Sequence, residues 1–331
     1  MSSTSADPNG SLPAPAGRPS LELLAAAATA TLLFSVFLVL PLLGPLALPF
    51  AAVPVVRLAH RRGAGLALSA AFLATASVGL LAWASAGAQE AADAGLMAAV
   101  ILTLPALFSA GVRKGLDPSR AYVGLCVAGF VAVAAALFAR APGADAVVGR
   151  EIDQNVDDLL RASSQPPRGP LDPDTAARLR ATLEAVRGFS KRYWMGLIGA
   201  CWTFGAAITF FTGAWSGRPA PSAEATRFEA LRVPAPGAAL FVASGACWVL
   251  GGPSLARIAG NLLWPLAALY FVGGLSIICH FARRWFRSRL LRISLYALAI
   301  YVVPINVGVA LLGLFDWYGD FRRRGREISE S

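Results

Sequence analysis

Long runs of apolar residues, separated by short polar loops, recur along almost the whole chain. The runs cover residues 21–40, 65–86, 94–112, 121–139, 193–215, 236–250, 255–281 and 290–315. A helix needs about 20 apolar residues to cross the hydrocarbon core of a bilayer, and most of these runs approach that length. The pattern therefore predicts an all-α fold, a polytopic transmembrane helical bundle.

Two proline-marked segments complicate the number of crossings. Residues 45–58 contain Pro49 and Pro54 and predict a short or kinked helix, which is tolerated where neighbouring groups satisfy the freed carbonyls. The last apolar run, 290–315, has Pro304 near its middle, where a helical hairpin can turn. With these segments included, we expect about nine or ten membrane segments, some kinked or short.

Composition divides the chain into five parts. They are a disordered N-terminal tail at 1–20, N-terminal transmembrane helices at 21–139, a polar helical insert at 140–191, C-terminal transmembrane helices at 192–318 and a basic cytoplasmic tail at 319–331. The first part is rich in Ser, Pro, Ala and Gly, a composition that does not support a packed core. The insert is expected to be a small helical unit outside the membrane, because it is the long polar segment between two sets of apolar runs.

Two helices are predicted within the insert. Residues 151–160 have the pattern of an amphipathic helix, and a Pro/Gly/Ser-rich break follows at 163–170. Asp172 then occupies the position of an N-cap, with Pro173 at the first helical position. The second helix is expected to begin there and to continue to the end of the insert.

Basic residues orient the predicted bundle. The chain has 29 lysines and arginines against 19 acidic residues, and its formal net charge is +10. Arginines cluster in short loops, such as 57–62 and 283–292, that alternate with loops such as 89–93, which has no basic residue. By the positive-inside rule, the N-terminus is cytoplasmic and the insert is non-cytoplasmic. No basic soluble domain with interleaved aromatic residues is present, so we expect no nucleic-acid partner.

The same rule creates a conflict at the C-terminal end. Arg322 belongs to a basic tail that should be cytoplasmic, yet a single crossing over 290–315 would carry it to the other side. A hairpin that turns near Pro304 removes the conflict, although its halves are short for full crossings. The sequence therefore favours a hairpin there.

Motifs that carry enzymatic or metal chemistry are absent from the sequence. It contains no Walker loop, G-x-S-x-G elbow or H-E-x-x-H motif. The four cysteines lie in apolar runs without C-x-x-C spacing, which indicates packing rather than a metal site or a disulfide framework. We therefore expect no enzyme activity, no cofactor and no metal.

Polar residues at mid-membrane depth are the candidate ligand-binding site. Asn261 and Trp264 share one face of a predicted helix, and Asn306 follows Pro304 in the last apolar run. Intramembrane asparagines often hold helices together by hydrogen bonds, whereas a polar cavity at this depth binds a small ligand. Both interpretations stay open, and the ligand, if present, is a small molecule of unknown identity.

Two further groups of residues are assigned to packing and anchoring. Ala26 and Ala30 lie one turn apart in the first apolar run, a spacing that permits close helix packing or docking of a partner subunit. Asp316, Trp317 and Arg322 are expected to form an interfacial anchor, with the tryptophan in the aromatic belt and the two charges within pairing distance.

The sequence LLGLFDWYGDFR at 311–322 resembles the ending of the YybS-like family of predicted bacterial membrane proteins, whose function is unknown. Matches in the same order at 43–63 and 261–274 extend the resemblance over most of the chain. It implies a multi-pass protein of the bacterial inner membrane with a polar insert. The family is distantly similar to the substrate-binding membrane subunits of energy-coupling-factor transporters. In those subunits, an Ala-rich first helix docks on the coupling subunit. The resemblance implies this role for Ala26 and Ala30.

Two functions of different classes follow. One is a solute-binding membrane component of a transporter, in contact with the lipid bilayer and with other membrane subunits. The alternative is a non-catalytic scaffold of the cell envelope that recruits partners through the insert and the basic loops. A membrane enzyme acting on lipid or cell-wall precursors is disfavoured, because ionisable residues do not cluster within the apolar runs.

Overall fold

The computed structural model describes residues 18–39, 44–140, 143–164, 172–216, 228–319 and 321. The α-helices in this part of the chain are α1 Pro19–Val39, α2 Gly44–Ala51, α3 Val53–Arg62, α4 Ala64–Ala86, α5 Ala88–Arg113, α6 Pro118–Arg140, α7 Ala144–Ser164, α8 Pro173–Ser216, α9 Ala235–Leu250, α10 Pro253–Trp285, α11 Arg289–Tyr301 and α12 Val303–Gly319. No strand occurs among the described residues. The predicted all-α class is confirmed.

Six helices within the described ranges are long and apolar enough to cross a membrane, namely α1, α4, α5, α6, α8 and α10. The bent pair of α11 and α12 makes a seventh candidate. A polytopic helical bundle is therefore confirmed, with fewer full-length crossings than the nine or ten segments predicted. The difference arises because the segment at 45–58 forms two short helices and α9 has only 16 residues, fewer than a typical crossing.

Glycines in left-handed backbone conformations end α3 and α4. Gly63 has a φ of 96° and Gly87 a φ of 108°, values that side chains with a Cβ atom rarely adopt. Each glycine N–H donates to the last helical turn, to the carbonyls of Ala59 and Trp83. These turns let α3, α4 and α5 follow one another as antiparallel neighbours, and buried alanines of α4 allow the helices to approach closely.

Arginine-rich helix ends gather on one face of the bundle. Arg62 at the end of α3 pairs with Glu22 at the start of α1, at 2.8 Å, and Arg113 at the end of α5 lies beside Gly63. Arg283 in the last turn of α10 pairs with Glu229 at 2.5 Å. We call this surface, which contains Arg62, Arg113 and Arg283, the basic face.

The opposite face carries the insert. Helix α7 and the first half of α8 form an antiparallel hairpin, joined by ion pairs of Asp157 with Arg187 and of Asp153 with Lys191. The carboxylate of Asp172 accepts a hydrogen bond from Thr175 N at 3.2 Å, as predicted for an N-cap at the start of the second insert helix. We call this surface the insert face.

Helix α8 continues from the insert into the bundle as one element of 44 residues. Its backbone is non-helical at Tyr193, with φ −122° and ψ 18°, so the helix kinks there. The expected boundary between insert and membrane thus falls at a kink inside a helix. Composition changes at this point, and the helix resumes in a new direction directly after the kink.

Helix α12 packs closely against α10 in the antiparallel direction. A Cβ atom on Gly274 would overlap the carbonyl group of Val309, and one on Gly313 would overlap the carbonyl group of Tyr270. Because α10 runs from the insert face to the basic face, α12 runs back from the basic face towards the insert face.

The structure differs here from the hairpin predicted near Pro304. The chain turns at Val302, which is extended, and α11 and α12 meet there at 98°. Pro304 lies in the first turn of α12, where a helix does not need its missing N–H. Helix α12 therefore continues as one antiparallel partner of α10 and ends towards the insert face, the course that the predicted hairpin would have avoided. Apart from Gly319 and Phe321, the predicted basic tail at 319–331 lies outside the described residues.

Candidate functional site

A charged crevice lies on the insert face where α7, α8 and α10 meet. Its volume is about 640 Å³. Four basic and two acidic side chains line it, namely Arg150, Lys191, Arg192, Arg257, Asp145 and Asp153. Gly149 and Gly188 also line it, and neither has a side chain that would fill the space. We call this site the insert-face crevice.

Asp145 joins the three helices that form the crevice. Its carboxylate accepts a hydrogen bond from Trp194 Nε1 of α8 at 2.7 Å and forms an ion pair with Arg257 Nη2 of α10 at 2.9 Å. The Trp194 hydrogen bond, followed by that of Arg257, holds the pKa of Asp145 below its usual range. The carboxylate therefore remains ionised and keeps the wall of the crevice in place.

Two of the four basic residues of the crevice form ion pairs, and the other two do not. Lys191 pairs with Asp153 at 2.6 Å, and Arg257 is held by Asp145. No ion pair joins Arg150 or Arg192 to another described residue; both are exposed, and the Arg192 guanidinium lies 5.5 Å from the centre of the Tyr193 ring. These two guanidinium groups give the crevice the capacity to bind an anion.

Asn261, a predicted ligand residue, lies directly beside the kink in α8. Its Oδ1 accepts a hydrogen bond from Gly196 N at 2.8 Å, and its Nδ2 donates to Arg192 O at 3.2 Å and to Arg257 O at 2.9 Å. An unkinked α-helix would pair Gly196 N–H with Arg192 O. The Asn261 amide therefore bridges two backbone groups that the kink at Tyr193 separates.

The other two predicted ligand residues lie apart from each other. Trp264 packs edge-on against Phe189 of α8, with ring centroids 5.4 Å apart, and so lies next to the insert-face end of α10. Asn306 lies in the first turn of α12, near the basic face, and donates to Ile300 O of α11 at 3.3 Å. The structure thus groups Asn261 with Trp264 but places Asn306 at the other end of the bundle.

Ala26 and Ala30 face the interior of the bundle. Both are buried, Ala30 completely, in a core with residues of α3 and α4. This position accounts for the small side chains through helix packing within the chain. Docking of a partner subunit on α1 would have to use another side of that helix.

The predicted interfacial anchor is only partly within the described residues. Trp317 is exposed near the end of α12 and packs edge-on against Tyr318, with ring centroids 4.6 Å apart. Asp316 is half-buried one residue earlier. Arg322 lies outside the described residues, so its pairing with Asp316 stays a prediction.

Sequence reasoning did not identify the crevice. Asp145, Gly149 and Asp153 repeat at four-residue spacing on α7, and Gly188, Lys191 and Arg192 lie within about one turn on α8, which is the local signal that was available. The remaining partner, Arg257, is 112 residues away from Asp145. Among the residues that the structure describes, no group of three or more His, Cys, Asp or Glu side chains is arranged to hold a metal ion.

A comparison with protein-family models assigns the chain to a family. No curated protein and no solved structure matches the chain. One family model, described as "Predicted membrane protein (DUF2232)", matches residues 28–317. The match begins within α1 and ends within α12, so it includes all the helices that form the crevice. The chain belongs to the DUF2232 family of predicted membrane proteins.

Proposed function

We propose that the chain is a non-catalytic, solute-binding component of a membrane transporter and that its solute site is the insert-face crevice. The observation that carries the proposal is the pair of arginines, Arg150 and Arg192, in a crevice of about 640 Å³. This volume is within the range of small-molecule sites, about 300–1,000 Å³. Guanidinium groups bind carboxylate and phosphate in a bidentate manner, so the proposed solute is a small anion or zwitterion.

The orientation of the crevice suits uptake of a solute from outside the cell. With the arginine-rich basic face in the cytoplasm, the N-terminus is cytoplasmic and the crevice opens on the non-cytoplasmic side of a bacterial inner membrane. In this proposal, the solute first meets the protein at the crevice. Other membrane subunits then complete the transporter, as the resemblance to energy-coupling-factor substrate-binding subunits suggests.

Asn261 and Trp264 have a supporting part in this proposal. Asn261 binds the backbone of Arg192, so it fixes the position of a crevice arginine without itself lining the crevice. Trp264 packs against Phe189 and so contacts the same part of α8, beside the kink at Tyr193. The solute site is therefore proposed about one helical turn closer to the insert face than the mid-membrane position that the sequence predicted.

A thermal-stability screen of the full-length protein in lipid nanodiscs tests the crevice, with citrate, glutamate and inorganic phosphate as probes. We expect at least one probe to raise Tm, and the double variant Arg150→Gln/Arg192→Gln to weaken its apparent affinity by about tenfold or more. That estimate follows from about 1.5–3 kcal/mol for a hydrogen bond to a charged group.

The matched control is Arg178→Gln/Arg180→Gln, which removes two exposed arginines from α8 outside the crevice. It should respond to the probe as the unmodified protein does. Equal responses of the two double variants, or no response to any probe, would argue against a solute site in the crevice.

Exposed apolar side chains on the insert favour the scaffold as a second candidate function. Leu159 on α7 and Val186 on α8 are both exposed outside the apolar part of the bundle. A photo-cross-linking residue at either position should give an adduct of the same mass in intact cells if the hairpin recruits a partner. Arg180, which is exposed on the same hairpin, is the control position. Adducts of the same yield and mass at all three positions would indicate random collision and contradict this function.

A further inference from the structure

Helix α11 runs across the direction of the membrane-spanning helices. Its neighbour α12 packs antiparallel to α10, through Val309 against Gly274 and Gly313 against Tyr270. Helix α11 meets α12 at 98°. Because α10 ends at the basic face and a short connection leads from there to α11, the helix lies along the basic face instead of crossing the bundle.

One side of α11 holds the helix on the bundle. Ala299 is buried, and Tyr296 lies beside Cys279 of α10. The other side is apolar and uncovered: Tyr301 is 82% exposed and Leu290 is 74% exposed. Further exposed apolar side chains on this helix are Leu291, Ile293, Leu298 and Ile300. An apolar surface of this kind at the edge of a membrane bundle fits the acyl-chain boundary of a bilayer.

The charges around the start of α11 determine which lipid headgroups the helix can attract. Residues 283–301 contain five arginines and no acidic residue. The arginines are Arg283, Arg284, Arg287, Arg289 and Arg292. Trp285, which is exposed between them, has the side chain typical of a membrane interface. A basic amphipathic helix of this composition is attracted to anionic lipid headgroups.

We propose that α11 is an in-plane interfacial helix that binds anionic phospholipid headgroups at the basic face. The apolar side chains, with Leu290 near one end and Tyr301 at the other, enter the headgroup–acyl boundary, and Arg287, Arg289 and Arg292 contact lipid phosphates. The last apolar run of the sequence is thus one surface helix followed by one crossing helix. The proposal is independent of the solute site, because the crevice lies on the opposite face.

Depth measurements on the full-length protein in phosphatidylcholine/phosphatidylglycerol nanodiscs test the in-plane orientation. In a variant without native cysteines, a fluorophore is attached to a single cysteine at Leu290, Ile293 or Leu298. We expect all three labels to be quenched mainly by lipids with a shallow nitroxide, and to similar extents. Exposed positions on α12, namely Val307, Leu311 and Phe315, are the control and should show a progressive change in depth. A similar progression along α11 would overturn the proposal.

Lipid selectivity at the Ile293 label tests the headgroup contact. Quenching by brominated phosphatidylglycerol relative to brominated phosphatidylcholine gives the relative affinity of the two lipids next to α11. We expect phosphatidylglycerol to be preferred, and Arg287→Gln/Arg289→Gln to reduce the preference by roughly fivefold for each arginine. Arg178→Gln/Arg180→Gln, on the insert face, should leave it unchanged. No preference in the unmodified protein, or equal preferences in the two variants, would overturn the anionic-lipid contact.

Discussion

Replacing Gly274 with valine is expected to separate α12 from α10 and to destabilise the folded protein by about 3 kcal/mol or more. The new Cβ atom would overlap the carbonyl group of Val309, so the obstacle is backbone and not a side chain that can rotate away. Gly313 faces the same contact from α12, where its own Cβ would meet the backbone of Tyr270. Both helices must therefore move apart, and the measurement is the free energy of unfolding in mixed micelles.

Gly308→Val is the matched control for this prediction. Gly308 lies on α12 directly before Val309, and a Cβ atom there would meet no heavy atom within 4 Å. The same substitution in the same helix should therefore change the free energy of unfolding by about 0.5 kcal/mol or less. If Gly274→Val were as stable as Gly308→Val, α12 would not pack against α10 at this point, and the direction assigned to α12 would be wrong.

Features that depend on residues close together in the sequence were predictable. The apolar runs at 65–86 and 121–139 correspond to α4 and α6, because the length of an apolar run is a local feature. The N-cap at Asp172 was also predictable, since a cap depends on residues within one turn. In contrast, Pro304 marks a break without specifying its angle. The course of α12 depends on Gly274, which is distant in sequence.

The kink in α8 and the crevice were not predictable, because both depend on contacts between residues that are distant in the sequence. Composition changes from polar to apolar near Tyr193, which suggests an element boundary, but the helix continues through it. Asp145 lies in the predicted insert and Arg257 near the start of the apolar run 255–281, and no local pattern connects two charges that are 112 residues apart. Asn261 was identified as an exceptional residue, because an asparagine in an apolar run is costly unless it is hydrogen-bonded. Its partner, Gly196, is 65 residues away, so its role was not predictable from the pattern.

Replacing Asn261 with leucine is the second change for which we expect a large effect. Leucine has the same branched shape and the same number of side-chain heavy atoms, but it cannot accept a hydrogen bond from Gly196 N–H or donate one to Arg192 O. An unsatisfied buried polar group costs about 1–3 kcal/mol, and hydrogen bonds between membrane helices average about 0.6 kcal/mol. With one half-buried N–H and one exposed carbonyl affected at a kink, we expect a loss of about 1–2 kcal/mol in the free energy of unfolding. Spin-label distances between α7 and α10 should also broaden, because the insert loses its fixed angle.

Asn306→Leu separates this structural role from the ligand role that the sequence suggested for both residues. The Asn306 amide donates to Ile300 O at 3.3 Å, and its loss should cost less than about 1 kcal/mol. If the role of Asn261 is structural, Asn261→Leu should lower the free energy of unfolding with or without solute. Asn306→Leu should change it little. If Asn261→Leu instead kept its stability and lost only the Tm response to citrate, glutamate or phosphate, the amide would contact the solute. The site would then extend from the crevice towards the middle of the membrane, because Asn261 lies one turn beyond Arg257 on α10.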